Sequence, residues 1–555
     1  PSPFAPRSDE AKPVEPKDDE KKKEAKKKET FRIDLEGLRR RVVPFPVAAG
    51  SYTRVTAAAG KVFWLSFPPQ TLTEDDPLKA SLRVFDLEKR KEGEVVAGVQ
   101  GYDLAPDHSK LVISDGKDYK ILDPKEGASN DKTVDLSGLK MQLDPKAEWA
   151  QIFREAWRIQ RDFFYLPDMG KIDWPAMRRR YEVLLPWVSH RVDLTLLLGE
   201  LAGELGSGHS YVGGGDLPQV DKLPVGVLGA ELRLDVKAGA WRLDHIYPGE
   251  SWTEKRRSPL NGPGVKIEEG EYLLGIDGKD LTPADEPYRL LAGKSERVVT
   301  LLVNKLPNRS GAREVDVRTL GDEDALRYQD WVERKRAKVD KATNGRVGYL
   351  HIPDMGGGGL QEFIRQYYPQ IRKQALIVDV RANGGGFVSE MILERLRRVV
   401  VGMGSSRDSR PSTYPAASFS GPMVALINAY SASDGDIFPY FFREHGLGPL
   451  IGMRTWGGVV GIRGQPNLVD GGYVFVPEFG TFSLKGEWII ENQGVQPDIE
   501  VDNLPADELA GLDAQLERGI AEVLKRLEGW KRTVPAQDPP SLDLRTPGAL
   551  PAPPK

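Results

Sequence analysis

The sequence predicts a multidomain α+β protein, and three observations lead there. The chain has 555 residues, several times what a single core of about 150 residues organises. Its hydrophobic spacing changes along its length, from two-residue alternation to a three-and-four helical repeat and back again. In the last third, continuous apolar strands alternate with helices, the mark of a sheet covered on both faces. Composition agrees: 39% hydrophobic and 29% charged residues with 58 Gly and 42 Pro describe a globular chain rich in turns and exclude wholesale disorder.

Charge and cysteine content narrow the chemistry. Lys and Arg number 78 against 82 Asp and Glu, a net charge of -4, so no basic field draws the chain to nucleic acid. With no cysteine there is no disulfide framework, no thiolate zinc site and no cysteine nucleophile, and covalent chemistry falls to Ser, Thr or Lys. No stretch approaches the roughly 18 consecutive apolar residues of a membrane span, and no membrane partner is expected. Pro1 has no apolar signal core behind it, which reads as a trimmed or processed start. A cytoplasmic location is the expectation, with an exported protein as the alternative.

Taken in order, residues 1–30 are Pro-rich and then charged from Lys17 to Glu29. They predict a disordered linker, with an exposed helix of Lys–Glu pairs as the other reading. Residues 31–140 carry KVFWLSF, SLRVFDL and KLVISDG between turns such as Pro68-Pro69 and Asp115-Gly116, a run of antiparallel hairpins. Their spacing suits the last blades of a β-propeller, too few to close a ring. Residues 145–215 turn helical. EWAQIFREAWRIQRDFFY places Trp149, Ile152, Phe153, Trp157, Ile159 and Phe163 on one stripe, read as core rather than as a cofactor box. The helix VDLTLLLGELAGELG follows and leads into the loop Ser207-Gly208-His209-Ser210-Tyr211.

Residues 221–315 read as a β-rich module with strands in VLGAELRLD, AWRLDHIYPG, GEYLLGIDGKDL and RVVTLLVNKL, a tight turn at Ile276-Asp277-Gly278 and a short helix in PADEPYRLLAG. The order resembles a PDZ domain, which binds a peptide as an added strand or serves only for packing. Residues 320–530 form the α/β part, with strands GRVGYLHI, ALIVDV, MVALINA and GPLIGM and helices expected at 388–400, 435–445 and 507–528. Residues 531–555 are a Pro-rich tail.

Two strand exits in the α/β part share one physical design. In LIVDVRANGGGFVSE a buried strand runs into Asn383-Gly384-Gly385-Gly386 and then a helix. Glycines permit positive φ and close backbone approach, so free N–H groups can face a cleft; a ligand-free tight turn is the plain alternative. In MVALINAYSASDGDIF the turn around Ser433 opens a helix. A serine there stands above the sheet beside N-terminal amides, yet Ser433 with Asp436 three residues on also fits a capping box, and the turn alone favours the cap. Of the six histidines, His108, His190, His245, His351 and His445 sit in ordinary structural contexts, and His209 alone lies in a short polar, Gly-flanked loop where it can face a cleft.

The motifs EAWRIQRDFFY (155–165), GHSYVGGGD (208–216), VDVRANGGGFVSE (378–390), NAYSASDGDIF (428–438), LIGMRTWGGVVGI (450–462) and ENQGVQPDIEV (491–501) resemble, in order and spacing, the tail-specific and C-terminal-processing peptidases, most closely the tricorn branch. The resemblance implies a crotonase-like α/β catalytic domain with no cofactor or metal. It also implies a nucleophile at Ser433, a general base at His209, an acidic partner at Glu491, and an oxyanion hole from the Gly386 and Asp434 amides. It implies peptide or unfolded polypeptide substrates and a ring-like homo-oligomer, a hexamer by the family's pattern. Two positions depart from that pattern. Gly208 stands where a relay serine precedes the histidine, leaving Ser207, Ser210, water or nothing as the relay. Gly404 stands where an acid favours basic P1 residues, with Asp408 the nearest acid, so apolar P1 residues are expected. An inactive propeller and PDZ scaffold, an acyl-CoA enzyme of crotonase type, and a purely structural α/β domain are the rival readings.

Overall fold

The computed structural model describes Phe4 and residues 35–69, 79–129, 133–252, 256–464 and 467–531. Apart from Phe4 and Lys531, the expected linker and Pro-rich tail lie outside the described residues. The chain divides into two units, Pro1–Gln142 and Leu143–Lys555.

The first unit holds two antiparallel meanders in sequence order. One is Ser51–Ala58, Lys61–Phe67, Ala80–Asp86 and Lys91–Val99; the other is Gly101–Leu104, Leu111–Ser114 and Tyr119–Leu122. The two-residue alternation decides their inner face: Phe63, Leu65, Leu82, Val84, Leu111 and Ile113 are buried in one cluster. A four-stranded meander is the form of a propeller blade.

The second unit begins with the helix Pro145–Phe163, capped by Asp144, whose side chain accepts from the Lys146 and Ala147 amides, with Pro145 at the first helical position. Its stripe is core. Ile152, Phe153 and Trp157 pack with Leu194, Leu197 and Leu198 of the helix Arg191–Gly203 and with Val474 and Val476 of the strand Tyr473–Phe479; Phe163, at the helix end, is exposed. The strand Tyr211–Gly213 pairs antiparallel with Tyr473–Phe479. The loop containing His209 is thereby tied to chain 260 residues further on.

The β module is an antiparallel sheet in the order Arg313–Arg318, Val298–Asn304, Tyr272–Ile276, Ala240–Ile246, Ala230–Asp235, with Lys279–Asp280 paired to Tyr272–Ile276. Asp277 and Gly278 both take positive φ, 49° and 73°, which makes the expected tight turn a hairpin turn of the primed kind.

The α/β part is built on a parallel five-stranded sheet in the order Val347–His351, Ala375–Asp379, Met423–Ile427, Leu450–Gly452, Ile499–Glu500. Alternate residues feed two cores. Val347, Tyr349, Ile377, Val424 and Leu426 face Val332 and Val339 of the helix Asp324–Ala342 and Leu516, Ile520 and Val523 of Ala514–Gly529. Leu350, Leu376, Val378, Ala425 and Ile427 face Leu360, Phe363, Ile392, Phe438 and Phe442 of the helices Gly357–Tyr367, Ser389–Leu396 and Asp434–Glu444. The result is three layers, and every C-terminal strand end opens on one edge, where parallel sheets bind ligands. No helix among the described residues is long and apolar enough to cross a membrane.

The structure corrects several boundaries. The helix expected at 388–400 is Ser389–Leu396, followed by a hairpin, Gly402–Ser406 with Ser409–Tyr414, that places Gly404 on a strand and the exposed Asp408 in its tip. The helix expected at 507–528 is two, Pro505–Leu509 and Ala514–Gly529, parted where Gly511 takes φ 78° and the Asp513 side chain accepts from the Leu516 amide.

Candidate active site

The first strand exit is anchored from beneath. Arg381 is buried and bridges Asp379 at 2.6 Å and Asp513 at 2.8 Å, while the buried Asn383 donates to Ile352 O at 2.9 Å and accepts from Gly385 N at 2.9 Å. Gly385 and Gly386 take φ 95° and 150°. A Cβ at Gly386 would collide with the Met355 carbonyl group, so only glycine fits there.

The second exit is locked to the first. Ser431 Oγ donates to Val380 O at 2.8 Å, Ala382 N donates to Asn428 Oδ1 at 2.9 Å, and Ala432 N donates to Asn383 O at 2.8 Å. Ser433 then takes φ 58° and ψ -122° immediately before the helix Asp434–Glu444. A non-glycine residue in such a conformation costs about 1–3 kcal/mol and persists only where its surroundings impose it. Here they do, through Ala432 N and through Ser433 N, which donates to Gly458 O at 3.1 Å.

The capping-box expectation is overturned. Ser433 makes no side-chain cap, because the amide it would accept from, Asp436 N, already donates to the Ser433 carbonyl at 2.9 Å. The Asp436 carboxylate instead accepts from Gly457 N at 2.8 Å. A strained serine between a strand and a helix, with a hydroxyl not engaged by the helix, has the form of a nucleophile elbow.

The two exits touch at one point. A Cβ at Gly385 would lie 2.5 Å from Ser433 Cβ and 3.0 Å from Asp434 N. In the Gly-rich turn, Gly385 N is taken by Asn383, and the amides of Phe387 and Val388 by Met355 O. The N–H groups of Gly386 and Asp434 have no acceptor among the described residues. Asp434 also joins the two helix starts, since its buried carboxylate accepts from Ser389 N at 3.0 Å and from Ser389 Oγ. Burial pushes that carboxyl up, against the opposing Ser389 donors.

His209 and Glu491 meet the serine turn through the segment Trp456–Val460. Glu491 Oε1 accepts from Ser207 Oγ and Gly208 N, both at 2.9 Å; its Oε2 accepts from Val459 N at 2.7 Å and Val460 N at 3.0 Å. Burial alone would raise the Glu491 carboxyl, but these donors outweigh it and hold it below the usual value. The same segment supplies the carbonyl of Gly458 to Ser433 N, and Trp456 N donates to Ser431 O at 3.0 Å. His209 is 6% exposed, packed edge-on against Trp456 and Tyr211 at ring separations of 5.6 and 5.8 Å. Burial pulls its pKa below that of an ordinary histidine, more than Val460 and Glu491 raise it, which favours the neutral ring.

The structure therefore brings Ser433, Asp434, Gly386, Glu491 and His209 around one segment. It does not join Ser433 Oγ to the His209 ring by a hydrogen bond among the described residues; such contacts commonly tighten only with substrate. Ser207 is hydrogen-bonded to Glu491 rather than to the ring, while Ser210 Oγ and His209 Nδ1 have no partner among the described residues. Sequence reasoning covered the motif of Trp456–Val460 and named Asn383 in the Gly-rich turn without giving either a role, and it did not single out Ser389. The signal was present in the paired Gly457 and Gly458.

Three family models match the chain: the tricorn protease C1 domain over residues 145–203, the tricorn protease PDZ domain over 226–322 and peptidase family S41 over 346–501. The S41 match contains both strand exits and Glu491, and the chain belongs to peptidase family S41, in its tricorn branch. It is 38% identical to tricorn protease homolog 1 of Streptomyces coelicolor over 98% of this chain and 51% of that one. Against the tricorn protease of Thermoplasma acidophilum it is 33% identical over 91% of this chain and 47% of the relative. The crystal structure of the tricorn protease superposes with a TM-score of 0.83 at 31% identity, covering 90% of this chain and 49% of that one. The chain spans about half the length of these relatives. His209 falls between the C1 and PDZ matches.

Proposed function

We propose that this chain hydrolyses peptide bonds through an acyl-enzyme on Ser433. The observation that carries the reading is the Ser433 turn itself: a strained, uncapped serine abutting Gly385, with the N–H groups of Gly386 and Asp434 left free beside it. Ser433 Oγ attacks the scissile carbonyl as His209 takes its proton. The carbonyl oxygen, now negative, draws the Gly386 and Asp434 amides. The tetrahedral intermediate expels the amine, which receives the proton from His209, and water repeats the sequence to release the acid. Each amide donor is worth about 10²- to 10³-fold in rate. Glu491, ionised, fixes the main chain on either side of the base by holding Gly208 and Val460.

Phe387 directly follows the donor Gly386 and Tyr430 precedes the serine turn, and both rings are largely exposed, which suits apolar peptide side chains on either side of the cut bond. Peptides or unfolded polypeptides are the substrate class, and a homo-oligomer of tricorn type is the assembly, hexameric in the finer reading. Cleavage of fluorogenic peptides tests the activity: Ser433→Ala is expected to lose at least 10³-fold in kcat, and cleavage that survives this substitution would sink the proposal.

A further inference from the structure

The site lacks an expected element, because no side chain hydrogen-bonds the His209 ring among the described residues, and its one polar contact is the Val460 main chain. Its Nδ1 is buried without a hydrogen-bond partner among the described residues. Both Glu491 oxygens are occupied by four other donors. Ser207 and Ser210 do not reach the ring. The side chains that touch it are aromatic: Trp456 stands edge-on at 5.6 Å and 85°, Tyr211 edge-on at 5.8 Å and 81°.

The indole has a seat made for it. A Cβ at Gly208 would lie 3.1 Å from Trp456 Cη2 and 3.0 Å from Gly458 Cα, and a Cβ at Gly458 would collide with the same ring. Two glycines thus clear the space the indole fills, one of them the residue preceding His209, and Trp456 N is fixed on Ser431 O at 3.0 Å.

Resting on the reading of His209 as general base, we propose that Trp456 is a positioning residue: seated between Gly208 and Gly458 and opposed by Tyr211, it sets the orientation of the imidazole by ring packing where no side chain does so by hydrogen bonding. Gly208 then suits this arrangement, since a Cβ there crowds the indole and the Gly458 main chain at 3.1 and 3.0 Å. The geometry also accounts for a ring kept nearly dry while close to an ionised carboxylate.

The groups facing the imidazole are Trp456 and Tyr211 edge-on, the Val460 main chain and the carboxylate of Glu491.

The test uses the full chain with Trp456→Phe, Trp456→Ala and Gly208→Ala. Edge-to-face contacts are modest, so Trp456→Ala is expected to lower kcat about 10-fold with KM within about 3-fold. Phe should restore most of the loss, and Gly208→Ala should fall with the Trp456→Ala variant. The second readout does not depend on turnover: the His209 titration, followed by NMR of ring-labelled histidine and assigned with His209→Gln, should move up toward the ordinary value in Trp456→Ala as water reaches the ring. An unchanged kcat together with an unchanged titration overturns the proposal, as does a loss confined to KM, which would make Trp456 a substrate contact. A wild-type protein that neither cleaves peptides nor reacts at Ser433 defeats the peptidase reading instead, and the titration then decides the packing role alone.

Discussion

Replacing Glu491 by Ala removes the carboxylate that hydrogen-bonds the His209 loop to the segment Trp456–Val460. In the structure its two oxygens accept from Ser207 Oγ, Gly208 N, Val459 N and Val460 N between 2.7 and 3.0 Å. Each bond to a charged acceptor is worth about 1 kcal/mol or more net at a half-buried position, so the set amounts to about 4 kcal/mol. That is a large part of the roughly 5–15 kcal/mol that holds a domain together, yet not all of it. The variant is expected to fold with a lowered urea midpoint, and kcat should fall further than stability explains, because Gly208 no longer fixes the entry to His209. Glu491→Gln should be intermediate, since its amide group faces donors with a donor. The pH dependence has a definite sign. The carboxyl is held below its usual value in the folded state, so its stabilisation is present above the unfolded pKa and is lost as pH falls through the folded one. Urea titrations monitored by tryptophan fluorescence at pH 7 and pH 3 should show a gap between wild type and Ala that narrows in acid. A midpoint and a kcat both equal to wild type at pH 7 would refute the reasoning.

Three further outcomes follow from other parts of the site. Gly385→Ala places a methyl group 2.5 Å from Ser433 Cβ at φ 95°, and peptide hydrolysis should drop by about 10²-fold or more through displacement of an oxyanion donor, with circular dichroism unchanged. Asp436 is fully buried and its carboxyl is pushed up to about 6, mainly by burial, against donors from Thr455, Gly457 and Ser433. Its raised folded pKa means stability is present below the unfolded value and lost as pH rises through about 6. Asp436→Asn, which keeps an acceptor for Gly457 N, should therefore unfold later than wild type at pH 8, by about 1–3 kcal/mol, and match it at pH 4. Finally, the acid limb of kcat/KM should lie below the ordinary histidine value of 6.5, because burial lowers the His209 pKa; a limb above that value contradicts a desolvated base.

How far the fold was legible depended on where periodicity speaks. Strands such as Ala375–Asp379 and Met423–Ile427 are buried at every residue and read as unbroken apolar runs. The helix Asp324–Ala342 escaped notice because it buries only Leu326, Asp330, Val332 and Val339 among many charges. Gly357–Tyr367 escaped because it opens with three glycines, which read locally as a turn. At the site, Ser433 was ambiguous from sequence because a cap and a nucleophile elbow share the same residues, and only the main-chain angles and the Asp436 N bond to the Ser433 carbonyl separate them. His209 stood out by its Gly-flanked loop, but its neighbours Trp456 and Glu491 lie some 250 to 280 residues away, a contact that no local pattern encodes. The roles of Ser207 and Ser210 were left open by sequence, and their hydrogen bonding depends on a backbone path that only the fold supplies.

The measurement that bears most directly on the account is the site of covalent modification by a fluorophosphonate. Tryptic mass spectrometry of the treated chain should find the phosphonyl group on Ser433 alone, with labelling slowed by at least about 10²-fold in His209→Ala and absent in Ser433→Ala. Labelling that lands on another serine, or that proceeds at the wild-type rate without His209, would contradict it.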